Sequence, residues 1–260
     1  MNGNYGWGLP IRASTFAPDI DFGIWLIHWA MLAIFVLWGV FFTYLLVRYR
    51  RREGVPAEHP EHQGLFWSML PDIFVLIFEI GLIAFYAIPV WSRIKSRFPA
   101  ESAANRIDIV AEQFAWNVHY PGADGKFGKR DPAKIHFSNP IGLDHDDPAA
   151  QDDIVLANEI HMPTGQPTLI RMTSKDVIHS FWIPEFRIKQ DVVPGMVIPI
   201  WVQPDRPGTY ELSCAQLCGF AHSLMRADVI VQTPEDYAQW LKSAAPAAVA
   251  ATSNKPSETW

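Results

Sequence analysis

Both cysteines of this 260-residue chain fall in one short run, Cys214-Ala215-Gln216-Leu217-Cys218-Gly219-Phe220-Ala221-His222-Ser223-Leu224-Met225. One upstream histidine, His179, stands 35 positions before the first cysteine, in Asp176-Val177-Ile178-His179-Ser180-Phe181-Trp182. Two thiolates, two imidazoles and a thioether form a soft donor set, and softness of that kind selects copper. The chemistry implied is electron transfer.

A mononuclear blue-copper site takes one upstream His, then a Cys, a His and a weak Met from one loop. Here the loop offers a second thiolate. Two thiolates can bridge two copper ions, each completed by one imidazole, with Met225 and the backbone carbonyl of Gln216 in the weak positions. Sharing one electron between two coppers spreads the charge change over more bonds, so little geometry changes on transfer. Two other readings use the same residues. A Cys2His2 zinc site has the same four strong ligands, but lacks the usual close spacing of its pairs and leaves Met225 idle. A Cys214–Cys218 disulfide is allowed in an oxidising compartment, but leaves both histidines unexplained.

The elements that must carry this loop divide the chain. From Phe22 to Val47 there is no Asp, Glu, Lys or Arg. As a helix this stretch is about 39 Å long, enough for a bilayer core of roughly 30 Å. A second apolar run, Leu65 to Trp91, carries Asp72 and Glu79, seven apart and so on one helix face. Charged groups at that depth are costly and imply a face covered by protein or lining a hydrated path. Trp25 and Trp29, and Trp67 and Trp91, sit at interfacial positions. Met1 to Pro10 lacks the cationic start of a secretory signal, and the first run is too long for one. Arg48, Arg50, Arg51 and Arg52 close the first span, which favours a cytoplasmic hairpin loop; Arg93, Lys95 and Arg97 vote the other way. Both termini and the C-terminal domain are thus expected outside the cytoplasm.

From Ile107 onward the pattern is of short β-type runs broken by Gly and Pro, including Ile107–Val110, Ile154–Leu156, Pro167–Met172, Met196–Val202, Thr209–Ser213 and Val229–Val231. This spacing predicts a β-sandwich or Greek-key barrel. Residues 121–132 and 138–153 read as loops, and Pro234–Leu241 as a helix capped by Thr233. The expected division is a leader at 1–21, a transmembrane hairpin at 22–92, a β-domain at 93–242 and a disordered tail at 243–260. From Ile107 to the end there are 12 Lys and Arg against 19 Asp and Glu, a net charge of −7. That balance argues against nucleic acid as a partner and suits a basic one.

Read together, these segments resemble subunit II of the haem-copper cytochrome c oxidases. The resemblance covers about residues 20–242 and is carried by Ser174–Phe181, by Lys189-Gln190-Asp191-Val192-Val193-Pro194-Gly195, by the Cys214–Met225 loop and by Trp67-Ser68-Met69-Leu70-Pro71 opening the second span. It implies a cupredoxin-like all-β domain on a two-helix anchor in a bacterial plasma membrane, with the copper domain on the periplasmic side. It further implies a dinuclear copper centre, CuA, held by His179, Cys214, the Gln216 carbonyl, Cys218, His222 and Met225. Electrons would come from cytochrome c and pass to haem in subunit I, where oxygen is reduced to water with proton pumping. This chain would perform no bond chemistry itself. Lys189 and Asp191 match a segment facing subunit I.

Three positions depart from the family pattern. Gln216 stands where the family has a Glu that reaches magnesium at the subunit interface, which puts that metal in question. Gln113-Phe114-Ala115-Trp116 replaces Gln-Trp-x-Trp, so Phe114 and Trp116 mark the expected point where electrons enter. The change shifts the expected donor toward a membrane-bound or tethered cytochrome c. Gly64 replaces a Glu at the mouth of a proton channel, leaving Glu61 and Glu79 as candidate proton carriers. Rival readings are the CuA subunit of a nitric-oxide reductase and, from another class, a membrane-anchored copper chaperone or thiol oxidoreductase. The last predicts a thioredoxin-like βαβ pattern around the cysteines.

Overall fold

The computed structural model describes residues 8–54, 56 and 65–245. The expectations for Glu61 and Gly64, and for the tail beyond residue 245, lie outside the described residues. The chain divides into two compact units, residues 18–97 and residues 1–17 with 98–260.

In the first unit, helix α1 spans Ala17–Arg48, beginning five residues before the charge-free run. Asp19 in its first turn and Arg48 in its last complement the helix dipole. Helix α2, Leu65–Leu82, leads through a π-helical turn at Ile83–Ala87 into helix α3, Ile88–Lys95. Pro89 explains the wide turn: it has no N–H to donate and its ring crowds the preceding carbonyls, so the ladder widens just before it. α1 and the run from Phe66 to Lys95 are each long and apolar enough to cross a membrane. Arg93 pairs with Asp19, and the Tyr86 hydroxyl donates to the Asp19 carbonyl, joining the start of α1 to the end of the second run. A Cβ on Gly23 would come 2.8 Å from the Tyr86 ring, so the helices meet closely there.

The second unit is a sandwich of two five-stranded sheets. Its strands are β1 (Asn105–Glu112), β2 (Ala115–Tyr120), β3 (Ile154–Ala157), β4 (Glu159–Pro163), β5 (Thr168–Ser174), β6 (His179–Ile183), β7 (Ile188–Val192), β8 (Ile198–Val202), β9 (Gly208–Cys214) and β10 (Arg226–Gln232). One sheet has the order β3-β2-β1-β5-β8, the other β4-β10-β9-β6-β7. β1 pairs parallel to β5 and β10 parallel to β4, and the remaining pairs are antiparallel. Alternate residues face inward: Ile107, Ile109, Trp116, Val118, Tyr120, Ile170 and Met172 meet Ile160, Met162, Phe181, Leu212 and Val229, all fully buried. This is the expected cupredoxin-like sandwich. Strands β2, β4, β6 and β7 were not among the runs singled out from sequence. β2 and β6 hold buried polar residues (Asn117, His119, His179 and Ser180) that blur the alternation.

Helix α4, Pro234–Ala244, starts at the Thr233 cap, whose hydroxyl accepts from Asp236 N at 3.2 Å. The leader is partly built into the sandwich. Ala13 N donates to Glu185 O at 3.0 Å, Thr15 N to Gln203 O at 3.1 Å and Ser14 Oγ to Phe186 O at 2.8 Å.

The segment 121–153 covers the outer face of the β1-containing sheet. Ile141, Leu143 and Ala150 form a second small core with Val110. Beneath this cover Asp108 receives Arg171 in a two-pronged bond at 2.7 and 2.9 Å, and His119 meets Asp153 at 2.6 Å with both side chains fully buried. The acidic residues of the cover largely organise the cover itself. Asp131, Asp144, Asp147, Asp152 and Asp153 each accept a backbone N–H. Much of the acidic charge therefore serves turns and caps.

Candidate metal centre

Cys214 is the last residue of β9, and the run Ala215–Met225 loops back into β10. Two backbone bonds pin this loop at its base: Cys214 N donates to Met225 O at 3.0 Å, and Ala215 N to Ser180 O at 2.9 Å. The second bond reaches β6, whose first residue is His179. Antiparallel pairing of β6 with β9, with Phe181 opposite Cys214, brings the distant histidine to the loop.

The sequence-predicted donors converge. Cys214 Sγ and Cys218 Sγ are 3.8 Å apart, and both thiols are free and buried. His179 Nδ1 lies 4.0 Å from Cys214 Sγ, and His222 Nδ1 lies 3.6 Å from Cys218 Sγ. Met225 Sδ is 3.8 Å from Cys218 Sγ, and the Gln216 carbonyl oxygen is 3.2 Å from Cys214 Sγ. His179 and the two cysteines place their ligand atoms within 4.8 Å of one another. His179 and Met225 are fully buried, while His222 is half-buried. The unlinked sulfurs, each with an imidazole nitrogen nearby, fit a soft metal such as copper. The cysteines sit between two antiparallel strands, not at a strand-to-helix turn, which removes the thioredoxin-like pattern expected of a thiol oxidoreductase.

The electrostatics of the pair are asymmetric. Burial pushes the Cys214 thiol up, but the His179 imidazole and the adjacent backbone groups at Gln216 and Ser180 outweigh it, and its pKa falls to about 6. Burial and the neighbouring Cys214 push Cys218 up to about 11. His179 is disfavoured as a cation by burial, yet Cys214 and Asp176 raise it above the usual imidazole range. The two thiols hold their protons unequally as a pair, and metal binding would release the proton the pair retains.

Three surrounding residues carry roles that the sequence reading did not assign. Asp176 Oδ1 sits 2.9 Å from His179 Nε2. Gln113, at the β1–β2 turn, donates from Nε2 to the Cys218 carbonyl at 2.6 Å and from its backbone N–H to Asp176 Oδ2 at 2.7 Å. Phe220, 96% exposed, meets Phe114 edge-on with ring centroids 5.0 Å apart. An Asp three residues before the candidate ligand His, and a Gln matching the first position of Gln-Trp-x-Trp, were visible signals; Phe220 had none.

The other expected site residues are dispersed. Trp116 is fully buried, 6.1 Å from the His179 ring between centroids, so a partner reaches it only through its neighbours. Phe114 is half-buried against the loop. Lys189 and Asp191 project from the edge strand β7, and Asp191 accepts from Ser180 Oγ at 2.7 Å. Glu79 is exposed on α2, outside the metal centre. The Gln216 side chain is exposed.

A soft-ligand loop on a β-sandwich, joined to two membrane-length helices, defines a membrane-anchored electron-transfer protein. The family model "Cytochrome C oxidase subunit II, periplasmic domain" matches residues 106–233. The alternative cytochrome c oxidase subunit 2 of Bradyrhizobium diazoefficiens is 38% identical over 240 residues, covering 91% of this chain and 83% of the relative. Cytochrome c oxidase subunit 2 of Thermostichus vulcanus is 29% identical over 259 residues, covering 89% and 77%. Among solved structures, the periplasmic domain of subunit II of cytochrome oxidase from Bradyrhizobium japonicum matches at 26% identity and a TM-score of 0.42, covering 57% of this chain and 96% of that one. The chain belongs to the cytochrome c oxidase subunit II family. It is accordingly the electron-accepting subunit of a respiratory oxidase complex, a membrane protein with a periplasmic domain.

Proposed function

We propose that His179, Cys214, Cys218, His222, Met225 and the Gln216 carbonyl hold a dinuclear copper centre. It would receive electrons from a cytochrome c and pass them to haem in subunit I. The observation that carries this reading is the 3.8 Å separation of two unlinked thiols, each with an imidazole nitrogen within 4.0 Å. When bound, the copper pair supplies one-electron exchange with little change of geometry. Cys214 and Cys218 would hold the metal as thiolates, with the His179 and His222 imidazoles, the Met225 thioether and the Gln216 carbonyl as the remaining donors. A zinc site would leave the buried Met225 thioether and the Gln216 carbonyl without a role.

The chain's own work is to hold these donors still and dry. β6, β9 and β10 fix the loop at its base, and the buried surround excludes water from the sulfurs. Electrons would enter over Phe114 and Phe220 and leave past the half-buried His222. The face of β6 and β7 that carries Trp182, Lys189 and Asp191 would meet subunit I. The hairpin would sit with its loop in the cytoplasm and both termini in the periplasm of a bacterial plasma membrane. A membrane-bound or tethered cytochrome c fits a docking surface whose exposed residues Leu217, Phe220 and Leu224 are apolar. Glu61 and Glu79 remain candidate proton carriers. Magnesium binding would rest on the neutral Gln216 amide and is not part of this reading.

Copper analysis and electron-spin resonance of the loaded chain test the reading. Two coppers per chain with a seven-line hyperfine pattern and a near-infrared band are expected. One copper without them overturns it.

A further inference from the structure

The two halves of the metal centre come from distant parts of the chain, His179 from β6 and the cysteines from the β9–β10 loop. A single residue of the β1–β2 turn is bonded to both halves. Gln113 lies 105 positions from Cys218 and 63 from Asp176, yet it donates to the Cys218 carbonyl at 2.6 Å and to the Asp176 carboxylate at 2.7 Å. Asp176 in turn lies 2.9 Å from His179 Nε2. A carbonyl oxygen only accepts, so the Gln113 amide must present its NH2 to Cys218.

An independent observation shows that the contact is built into the loop. Gly219, next to Cys218, has φ +143, and a Cβ there would lie 2.9 Å from Gln113 Nε2 and 2.8 Å from Phe114 Cζ. The glycine leaves room for the turn to seat directly on the metal loop. Gln113 is otherwise exposed, so core packing does not account for its placement.

We propose that Gln113 is a positioning residue of the metal centre: one side chain and its own backbone N–H clamp the Cys218 peptide and the carboxylate behind His179 in a fixed relation. Without the clamp, strand pairing still fixes Cys214 against His179, but the far side of the loop at Cys218 is free to shift against both. Outer-shell partners of this kind commonly govern metal retention by about 10- to 100-fold. The inference rests on the dinuclear copper reading above.

The test uses the full chain in detergent, loaded with copper, and two near-isosteric variants. Gln113→Glu replaces the donor head by an acceptor that repels the Cys218 carbonyl. Gln113→Met keeps the bulk and removes the head's polarity. Both keep the backbone bond to Asp176. The expected result is two coppers per chain in both, with copper release to a competing chelator about tenfold faster. Displaced hyperfine splittings and a displaced reduction potential are also expected, which a purely structural role would not produce. Wild-type release, splittings and potential in both variants would overturn the proposal. So would failure of both to accumulate folded, since Gln113 would then serve folding rather than alignment. An unmutated chain without two coppers and the seven-line pattern would instead sink the underlying reading, whatever the variants do.

Discussion

Asp176 backs His179: its Oδ1 lies 2.9 Å from Nε2 and leaves Nδ1 directed at Cys214, 4.0 Å away. The second oxygen of the same carboxylate accepts the Gln113 N–H at 2.7 Å. One carboxylate thereby sets the imidazole's tautomer and ring angle and ties both to the β1–β2 turn.

Asp176→Asn has only one acceptor oxygen for these two tasks. Copper affinity of the full chain is expected to fall by at least about tenfold, read by competition with a chelator of known affinity. Unchanged affinity would show that His179 is held by its strand alone.

Met225→Leu nearly conserves volume at a fully buried position, so folding should change by less than about 1.5 kcal/mol. Copper should stay while the reduction potential shifts and turnover slows, because a weak thioether donor would tune the metal's electronics. Voltammetry of the variant, together with oxidase turnover, checks both parts. A wild-type potential would exclude Met225 as a ligand.

Gly219→Ala places a methyl 2.8 Å from Phe114 Cζ, at a φ of +143. Strain at such a position costs on the order of 1–3 kcal/mol. Lower thermal stability and faster copper loss are expected together, because the clash lies between the turn and the metal loop. A differential scan with and without copper separates the two effects.

Phe114→Ala removes half of an exposed edge-to-face pair beside the metal loop. The second-order rate of electron uptake from the donor should drop, while copper content and spectrum persist. The wild-type rate should depend little on ionic strength if docking is mainly apolar, as Leu217, Phe220 and Leu224 suggest, each at least 77% exposed. A steep salt dependence in stopped-flow kinetics would return the acidic residues to a steering role.

Burial pushes the Tyr237 hydroxyl, which donates to Asn105 Oδ1 at 2.9 Å, up to about 12. Unfolded tyrosine titrates at about 10. The folded state thus binds this proton more tightly, so its stabilisation is complete below about pH 10 and is lost as pH rises toward 12. Tyr120, wholly buried, is raised for the same reason and adds to the slope. In Tyr237→Phe the melting temperature should fall less steeply over that interval. At neutral pH the variant loses about 1 kcal/mol with the hydrogen bond. Circular dichroism melts at several pH values measure both.

The candidate metal ligands were legible because such chemistry is carried by residue type and short spacing. Cys-x3-Cys-x3-His-x2-Met lies within 12 consecutive residues, and only His179 had to be supplied from elsewhere. The membrane runs were legible because a span depends on the summed polarity of one continuous helix. By contrast, the π turn at Ile83–Ala87 and the five-residue extension of α1 depend on local backbone detail around Pro89 and Asp19.

By itself, then, the order of residues determined the donor set, the two apolar spans and the all-β character of the domain that begins near Ile107. Only the tertiary structure decided that Gln113 reaches Cys218, that Trp116 is fully buried, and that acidic residues of 138–153 fold back to cap turns of the segment 121–132. These are contacts between segments tens of residues apart, or choices of which face a side chain takes. Strand pairing and burial settle them jointly, and no local pattern of polarity encodes them.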